Sequence, residues 1–176
     1  MTNRFLSSAR GLCAAIVPTL ALLAAPADAA AQMWTHVAAA CSVDEASMAK
    51  FDTNGARLRH KGTNTGKIYA RCNVIDNRHS AYWNAMELVF KDNGSGERVI
   101  AQLYRVTNAN GGITLIGTVD SDSYAGSANE QTQWEWLTST TFDFSKYAYY
   151  VMLTVDRTGT ATLPDAAIVR LYETVD

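Results

Sequence analysis

The sequence predicts an all-β domain: an antiparallel, jelly-roll-like β-sandwich with about eight strands and one disulfide. Three observations support this prediction. Short segments of alternating apolar and polar residues recur along the chain, separated by turns rich in Gly, Asn and Asp. No segment carries a 3.6-residue apolar repeat over three turns, and no βαβ alternation indicates a doubly wound sheet. One pair of cysteines remains once a predicted export signal is removed.

Residues 1–30 have the three parts of a cleavable secretory signal. Arg4 and Arg10 supply positive charge, an apolar stretch follows from Gly11 to Ala25, and small residues crowd the next segment. Ala27-x-Ala29 places the cut after Ala29, and the neighbouring alanines would move it by one or two positions. The apolar stretch is shorter than the roughly 20 residues that a membrane-spanning helix needs. We therefore expect residues 31–176 to form one exported domain, in the periplasm or outside the cell.

Charge and composition restrict the expected partners. Removing Arg4, Arg10 and Asp28 with the signal changes the formal net charge from −2 to −3. This charge is mild and evenly spread, whereas nucleic-acid-binding proteins carry concentrated basic patches. No later apolar segment approaches membrane-spanning length. We expect no nucleic-acid partner, no membrane span in the mature chain and no cofactor.

Export also determines the expected state of the cysteines. Cys13 is lost with the signal, which leaves Cys41 and Cys72 as a pair. An even number of cysteines in an oxidising compartment predicts a disulfide. Closing a loop of roughly thirty residues stabilises the fold by about 3–4 kcal/mol in the chain-entropy model. A redox or metal-binding pair would need close spacing, such as Cys-x-x-Cys, or nearby histidines, and the sequence indicates neither.

The first elements of the mature chain are short. Gln32 to Ala40 has little pattern and is expected to be a lead-in segment. Ser42-Val43-Asp44-Glu45 fits a capping box and predicts a turn or two of helix through Met48, although the same residues could be extended. Asp52-Thr53-Asn54-Gly55 is a strong turn signal, and a short strand is expected to follow around Leu58.

Seven further strands are expected after this point, from period-2 alternation or continuous apolar runs. Polar, Gly-containing turns at 92–96 and 108–112 separate consecutive strands. The segment 120–131 is expected to be a long loop because it is rich in Ser, Asn, Asp and Gly. The seven predicted strands are Lys67 to Ile75, Trp83 to Lys91, Arg98 to Val106, Ile113 to Val119, Thr132 to Leu137, Tyr147 to Asp156 and Ala167 to Thr174.

The layout of these segments resembles that of a known group of proteins. A leader is followed by Ala40-Cys41, a Gly before a short strand, and Tyr69-Ala70-Arg71-Cys72. A late Tyr147-x-x-Tyr150 strand and a final apolar strand complete the pattern. In this spacing the chain resembles small exported single-disulfide β-sandwich proteins of Gram-negative bacteria. The resemblance supports the fold and the compartment, and it implies no activity.

Motifs for nucleophilic or metal-assisted chemistry are missing from the sequence. His36, His60 and His79 are scattered and form no His-x-His or His-x-x-x-His pair. We therefore expect exposed or turn-associated histidines and no metal site, since zinc needs three or four convergent ligands. Gly94-Ser95-Gly96 lies in a polar turn, and no Gly-x-Ser-x-Gly nucleophile motif is present.

Acidic residues leave two alternatives open. A small carboxylate-based hydrolase needs two acids facing each other across a cleft. Its candidates are Glu87, Glu135, Asp143 and Asp156, for each of which a solvated face is the default expectation. A structural calcium ion would need the oxygen-rich loops Asp120 to Ser123 or Asp92 to Glu97. Turn formation is the preferred explanation of both loops, so calcium is not favoured.

The aromatic residues provide the most suggestive feature. If Trp134-Glu135-Trp136 is extended, both indoles project to the same side, roughly 6.5–7 Å apart. Exposed, they would form a flat platform on which sugar rings stack. Buried, they would contribute to the core, because each aromatic side chain buries about 150–250 Å². In a chain this small we expect burial. The same two alternatives, an exposed binding surface or burial in the core, apply to Tyr147, Tyr149 and Tyr150.

The function predicted from these observations is that of a non-catalytic exported β-sandwich that binds a partner through its loops or its aromatic residues. Carbohydrate or another cell-surface component is the expected partner, with Trp134 and Trp136 as the candidate binding residues. A carboxylate-based hydrolase is the first alternative. A structural or assembly subunit is the second, with Ala167 to Thr174 as an edge strand that pairs with a neighbouring chain.

Overall fold

The strands of this chain form a β-sandwich in which all paired strands are antiparallel, as the sequence predicts. The structure is a computed structural model that describes residues 33–75, 80–139 and 141–174. The predicted signal peptide, residues 1–30, and His79 lie outside the described residues. No helix within the described residues has the length and apolarity needed to cross a membrane.

The described residues contain thirteen strands and three short 3-10 turns. The turns are Ala38–Ala40, Glu45–Ser47 and Ser121–Ser123. The strands are β1 (Met33–Val37), β2 (Ser42–Val43), β3 (Phe51–Asn54), β4 (Arg57–His60), β5 (Gly66–Val74), β6 (Ser80–Tyr82), β7 (Ala85–Asp92), β8 (Glu97–Thr107), β9 (Ile113–Asp120), β10 (Ser127–Trp136), β11 (Thr141–Asp143), β12 (Tyr147–Arg157) and β13 (Asp165–Tyr172).

Two large sheets form the sandwich. The six-stranded sheet has the order β10-β7-β13-β4-β3, and β1 also pairs with β13. The five-stranded sheet has the order β2-β5-β12-β8-β9, and β6 and β11 form a separate two-stranded sheet. The loop between β7 and β8 carries the chain from one large sheet to the other. Each large sheet therefore has an inner face toward the core and an outer face toward solvent.

The core forms between the two inner faces. In β5, Ile68, Ala70, Cys72 and Val74 are buried, whereas the residues between them point outward and are exposed. This alternation of burial is the one that the sequence predicts for a half-buried strand. Full burial of each large aliphatic or aromatic side chain stabilises the fold by about 1.5–3 kcal/mol. The largest fully buried side chains come from both large sheets, the two-stranded sheet and the connections, and they include Trp83, Phe90, Phe142, Leu58, Ile68, Met86, Leu103, Leu153 and Leu171.

The eight strands that the sequence predicts are all present, whereas the predictions for the lead-in segment and for residues 120–131 are wrong. The lead-in segment contains β1, because its backbone pairs with β13, with Trp34 opposite Leu171. The expected long loop at 120–131 ends early, because β10 begins at Ser127. β10 is an edge strand with few buried side chains, so its first half needs no apolar residues and resembles a loop in composition.

The predicted capping box forms at a different residue. Ser42 lies in β2, extended and opposite Arg71 of β5. Asp44 caps a single 3-10 turn, where its Oδ1 accepts a hydrogen bond of 2.9 Å from the Ser47 backbone N–H. Strand pairing and the Asp44 cap together limit the predicted helix to Glu45–Ser47.

The last strand is not an edge, which corrects the prediction that Ala167 to Thr174 could pair with a neighbouring chain. β13 pairs with β7 along one side and with β1 and β4 along the other. Its backbone groups are therefore used within the chain, and the assembly alternative loses the strand on which it depended.

The predicted disulfide is present between Cys41 and Cys72, with a Cα–Cα distance of 4.5 Å. Cys41 lies between β1 of the six-stranded sheet and β2 of the five-stranded sheet, and Cys72 lies in β5. The bond therefore joins the crossing segment between the two sheets to the five-stranded sheet.

Candidate ligand-binding surfaces

Two outward surfaces of the sandwich carry aromatic side chains beside charged residues. The tryptophan face is the outer face of the six-stranded sheet around Trp134, Trp136, Glu87 and Arg170. The tyrosine face is the outer face of the five-stranded sheet around Tyr69, Arg71, Tyr104, Tyr150 and Met152. The two faces belong to different sheets, and the core lies between them.

Trp134 and Trp136 are exposed, so the expectation of burial is wrong. Their side chains retain 43% and 51% of their accessible surface. β10 is the edge strand of its sheet, and both indoles project outward from it, away from the core. The core below is filled by β7 residues such as Met86 and Leu88, which are fully buried. Edge position is a property of the whole fold, and the local sequence does not reveal it.

The indoles also differ from the predicted flat platform. Their ring centroids are 5.2 Å apart, and the ring planes are inclined at 88°. Such an edge-to-face pair is a favourable aromatic geometry. The pair therefore forms a corner with two aromatic walls at right angles, which can contact a ring on two sides.

An ion pair lies directly beside this corner. Glu87 is opposite Trp134 in the strand register, and Arg170 is opposite Glu87 on the next strand. The Arg170 guanidinium donates a hydrogen bond to Glu87 Oε1. The charges compensate each other, and the Arg170 and Glu87 side chains keep 32% and 16% of their surface exposed. Polar groups of this kind can bond the hydroxyls of a sugar whose apolar face stacks on an indole.

The tyrosine face is organised by stacking across three strands. Tyr104 of β8 and Tyr150 of β12 are directly opposite each other, with ring centroids 5.2 Å apart and planes inclined at 21°. The Arg71 guanidinium of β5 lies 4.9 Å from the centroid of the Tyr150 ring. The Tyr104 hydroxyl donates a 3.2 Å hydrogen bond to Gln102 Oε1. This stack holds the Arg71 side chain against an aromatic surface.

A cleft of about 330 Å³ lies next to Arg71. Met152 contributes apolar surface to its lining, with Tyr69 and Arg71 from the exposed side of β5. Ser42 and Asp44 line the opposite side, around β2. The volume is at the lower end of the range for small-molecule sites, about 300–1,000 Å³.

Two of the four carboxylates proposed for a hydrolase lie in the neighbouring strands β7 and β10. Glu87 of β7 and Glu135 of β10 point to opposite faces of the sheet. Glu87 is bonded to Arg170 on the tryptophan face. Glu135 lies between the two tryptophans in sequence and points to the other side of β10. Glu135 Oε1 accepts a 2.7 Å hydrogen bond from the Tyr124 hydroxyl. Burial, followed by this hydrogen bond to Glu135, raises the pKa of Tyr124 to about 12.

The other two candidate carboxylates lie elsewhere. Asp143 is in β11, and hydrogen bonds from Ser145 and then Lys146 lower its pKa to about 2. A carboxyl group with this pKa is ionised near neutral pH and is unsuited to act as a general acid. Asp156 lies on the outer face of the five-stranded sheet, 3.9 Å from the Lys67 ammonium group. The four acids thus occupy different elements and have different partners.

The oxygen-rich loops use their side chains within the fold. Asp120 accepts hydrogen bonds from Arg98 and from the Asp122 backbone N–H, and the Arg98 hydrogen bond lowers the pKa of Asp120. Asp92 accepts hydrogen bonds from the Gly94 backbone N–H, at 2.9 Å, and from the Ser121 hydroxyl. These contacts fit the expectation that turn formation explains both loops.

The histidine predictions are partly wrong. His60 is 1% exposed, and its Nε2 donates a 2.8 Å hydrogen bond to the Gly66 carbonyl oxygen. Burial lowers the pKa of His60. His36 lies beside the disulfide, with Nδ1 3.6 Å from Cys41 Sγ, although the sequence indicated no histidine near the cysteines. His36, Cys41 and Cys72 form a compact group of potential metal ligands, but the two sulfur atoms are bonded to each other in this structure.

Of the tyrosine face, only Tyr150 was raised from the sequence as a possible exposed aromatic, and the face itself was not predicted. Alternation along β5 already places Tyr69 and Arg71 on the exposed side of that strand, and this part could be read from the sequence. The pairing of Tyr104 with Tyr150 depends on the register of β8 against β12. No local pattern specifies that register, so the stack could not be identified before the fold was known.

Comparisons with known proteins provide a fold likeness alone. No protein-family model matches the chain, and no curated protein matches it. The family 11 carbohydrate-binding module from Clostridium thermocellum, in complex with a β-1,3-1,4-mixed-linked tetrasaccharide, is 9% identical with a TM-score of 0.44, over 83% of this chain and 90% of that chain. A carbohydrate-binding module that recognises mannan is 14% identical with a TM-score of 0.37, over 81% of this chain and 89% of that chain.

A similar likeness extends to larger proteins. A family two carbohydrate esterase from Cellvibrio japonicus is 11% identical with a TM-score of 0.38, over 82% of this chain, which spans 34% of the esterase chain. Identities and TM-scores this low do not allow the binding or catalytic properties of these proteins to be transferred. The resemblance to small exported proteins of Gram-negative bacteria stays a prediction.

Proposed function

We propose that the mature domain is an exported, non-catalytic binding module that holds a neutral glycan on the tryptophan face. The observation that carries the proposal is the exposed right-angle pair of Trp134 and Trp136 beside the Glu87–Arg170 ion pair. Export is supported by the predicted signal peptide and is consistent with the Cys41–Cys72 disulfide.

The exposed indoles favour a ligand with an apolar face. Leaving about half of each indole in water forgoes part of the roughly 1.5–3 kcal/mol that full burial of one large side chain provides. Adjacent exposed aromatics typically mark binding surfaces. A pyranose ring has an apolar C–H face that can stack on Trp134 or Trp136, and hydroxyls around its rim. The second indole then contacts the same sugar or its neighbour along the chain.

The matched ion pair favours a neutral glycan over a charged one. Glu87 and Arg170 cancel each other's charge, so the surface offers hydrogen bonds without a net attraction for either sign. A carboxylate is well suited to accept hydrogen bonds from vicinal hydroxyls, and a guanidinium donates to them. We therefore expect selectivity to depend on hydroxyl positions and not on ionic strength.

Binding can be tested with the mature protein on an array of neutral oligosaccharides, followed by titration calorimetry on the best ligand. We expect Trp134→Ala and Trp136→Ala each to lower affinity at least tenfold, while the melting temperature changes little. Tyr82→Ala is the matched control, because Tyr82 is 46% exposed but lies on β6, outside the tryptophan face. Absence of binding to every neutral glycan would overturn the proposal.

The non-catalytic part of the proposal has a separate test. The best ligand is incubated with the mature protein, and its products are examined by mass spectrometry. We expect the oligosaccharide to be recovered intact. Shorter products that disappear in a Glu87→Gln or Glu135→Gln variant would instead establish the carboxylate-based hydrolase.

A further inference from the structure

We infer that the cleft on the tyrosine face is a second binding site, and that it takes a carboxylate-bearing sugar such as a hexuronate unit. The inference concerns a different sheet from the proposed neutral-glycan site and does not depend on it.

Arg71 has no carboxylate partner within the described part of the chain. Its contact there is the 4.9 Å cation–π contact with Tyr150. By contrast, Arg57 bonds Asp165 and Glu130, and Arg98 bonds Asp120. An exposed arginine on this face therefore carries an uncompensated charge, and it does so at the wall of a cleft.

The stack determines how this charge is presented. A guanidinium that packs against an aromatic ring is held in position and loses less conformational freedom when it binds. Its edge carries N–H donors in a fixed fork, which matches the two oxygens of a carboxylate. The Tyr104–Tyr150 stack supports the ring from behind, because Tyr104 is parallel to Tyr150 within 21°. Arg71 is thus preorganised to receive a carboxylate.

The rest of the cleft fits a sugar ring. Met152 provides an apolar surface, and the half-exposed Tyr69 ring stands beside Arg71 on the same side of β5. Ser42 and Asp44, on the opposite side, can bond hydroxyl groups. Asp44 already accepts one hydrogen bond from Ser47 through Oδ1, which leaves Oδ2 as an acceptor.

The opposite charges of Arg71 and Asp44 determine how the ligand is oriented in the cleft. A carboxylate is attracted by Arg71 and repelled by Asp44, so the acid group of the sugar is expected at Arg71 and its hydroxyl edge at Asp44. The volume of about 330 Å³ accommodates one sugar unit. An extended acidic polysaccharide would continue from it across the exposed outer face of the sheet.

The test uses methyl β-D-glucuronide and methyl β-D-glucoside, which differ by the carboxylate, with ¹⁵N-labelled mature protein in NMR titrations. We expect the glucuronide to shift amide resonances of residues 42–44, 69–71 and 150–152, and to bind at least fivefold more tightly than the glucoside. Higher salt should weaken the glucuronide complex, because the Arg71–carboxylate attraction is screened.

Substitutions at Arg71 and Asp44 should change the affinity for the glucuronide in opposite directions. Arg71→Gln should lower glucuronide affinity at least fivefold, Arg71→Lys should give an intermediate value, and Asp44→Asn should raise the affinity because it removes a like charge. Arg98→Gln is the matched control, since Arg98 lies on the same sheet face but is bonded to Asp120. Melting temperatures of all variants verify folding.

Three results would overturn the inference. They are equal affinity for glucuronide and glucoside, an Arg71→Gln variant that binds as the wild type does, and amide shifts confined to other surfaces. A third ligand is cyclohexanecarboxylate, which has a six-membered ring and a carboxylate but no hydroxyls. Binding of this acid as tightly as the glucuronide would overturn the assignment to a saccharide.

Discussion

The two outer faces of the sandwich use similar residue types and differ in how their charges are matched. On the tryptophan face, Arg170 is compensated by Glu87, and the aromatic walls stand free beside the pair. On the tyrosine face, Arg71 lies against Tyr150. The carboxylate that lines the same cleft is that of Asp44, whose Oδ1 already accepts a hydrogen bond from Ser47. Charge matching, more than aromatic content, separates the neutral ligand expected on one face from the acidic ligand expected on the other.

The two faces also differ in their relation to the disulfide. Cys72 lies in β5 next to Arg71, and Cys41 immediately precedes Ser42 of β2, so the bond adjoins the cleft. Trp134 and Trp136 belong to the edge strand β10 of the other sheet. A change at the disulfide should therefore reach the tyrosine face first.

The largest expected effect comes from Cys41→Ser with Cys72→Ser. Loss of a disulfide with a sequence separation of 31 should lower the free energy of unfolding by about 3–4 kcal/mol in the chain-entropy model. Urea unfolding of the mature protein measures this loss. Under conditions where the variant is still folded, glucuronide binding should weaken more than binding of the neutral glycan. An equal loss of affinity on both faces would show that the disulfide does not support the tyrosine face preferentially.

A medium effect is expected from Glu87→Gln, which leaves Arg170 without its carboxylate. The tryptophan face should then acquire affinity for acidic oligosaccharides, at least threefold above the wild type at low salt. The free energy of unfolding should fall by about 0–1 kcal/mol, as is typical of partly exposed ion pairs. Calorimetry with acidic and neutral forms of one oligosaccharide measures the change. If the preference stays neutral, charge matching does not determine selectivity on this face.

The smallest expected effect is a change of stability with pH that leaves the relative affinity of the two faces unchanged. Burial lowers the pKa of His60, so the folded protein resists its protonation while the unfolded chain takes up the proton near its ordinary pKa of about 6.5. The stabilisation linked to His60 is present above that pH and is lost as pH falls below it. Between pH 7 and 5 the wild type should therefore lose stability relative to His60→Gln in urea titrations.

The relative affinity of the two faces should stay constant over the same pH range. His60 is buried in β4 and belongs to neither face. Burial raises the pKa values of Glu97 and Asp165, so their effect on the free energy of unfolding as pH falls has the opposite sign to that of His60. The contribution of His60 is therefore measured as the difference between the wild type and the His60→Gln variant. A wild type and variant with parallel pH profiles would contradict the assigned role of His60.

Much of the fold was predictable because it depends on local periodicity. The alternation around Cys72 identified β5 and its buried side, and the count of cysteines after the predicted signal identified the disulfide. The exposure of Trp134 was not predictable, because it depends on β10 being at an edge. The Arg71–Tyr150–Tyr104 stack was equally hidden, since three strands must be placed in register to create it.

The edge strand that carries the tryptophans has a further consequence for self-association. A bare sheet edge invites a second copy to add its own strand, which leads to aggregation. β10 has an irregular register between Ser127 and Gln131, and Glu130 in this stretch is paired with Arg57. An irregular, charged margin is a poor template for another strand. The domain can therefore keep two aromatic side chains in solvent while its backbone discourages the growth of fibrils from that side.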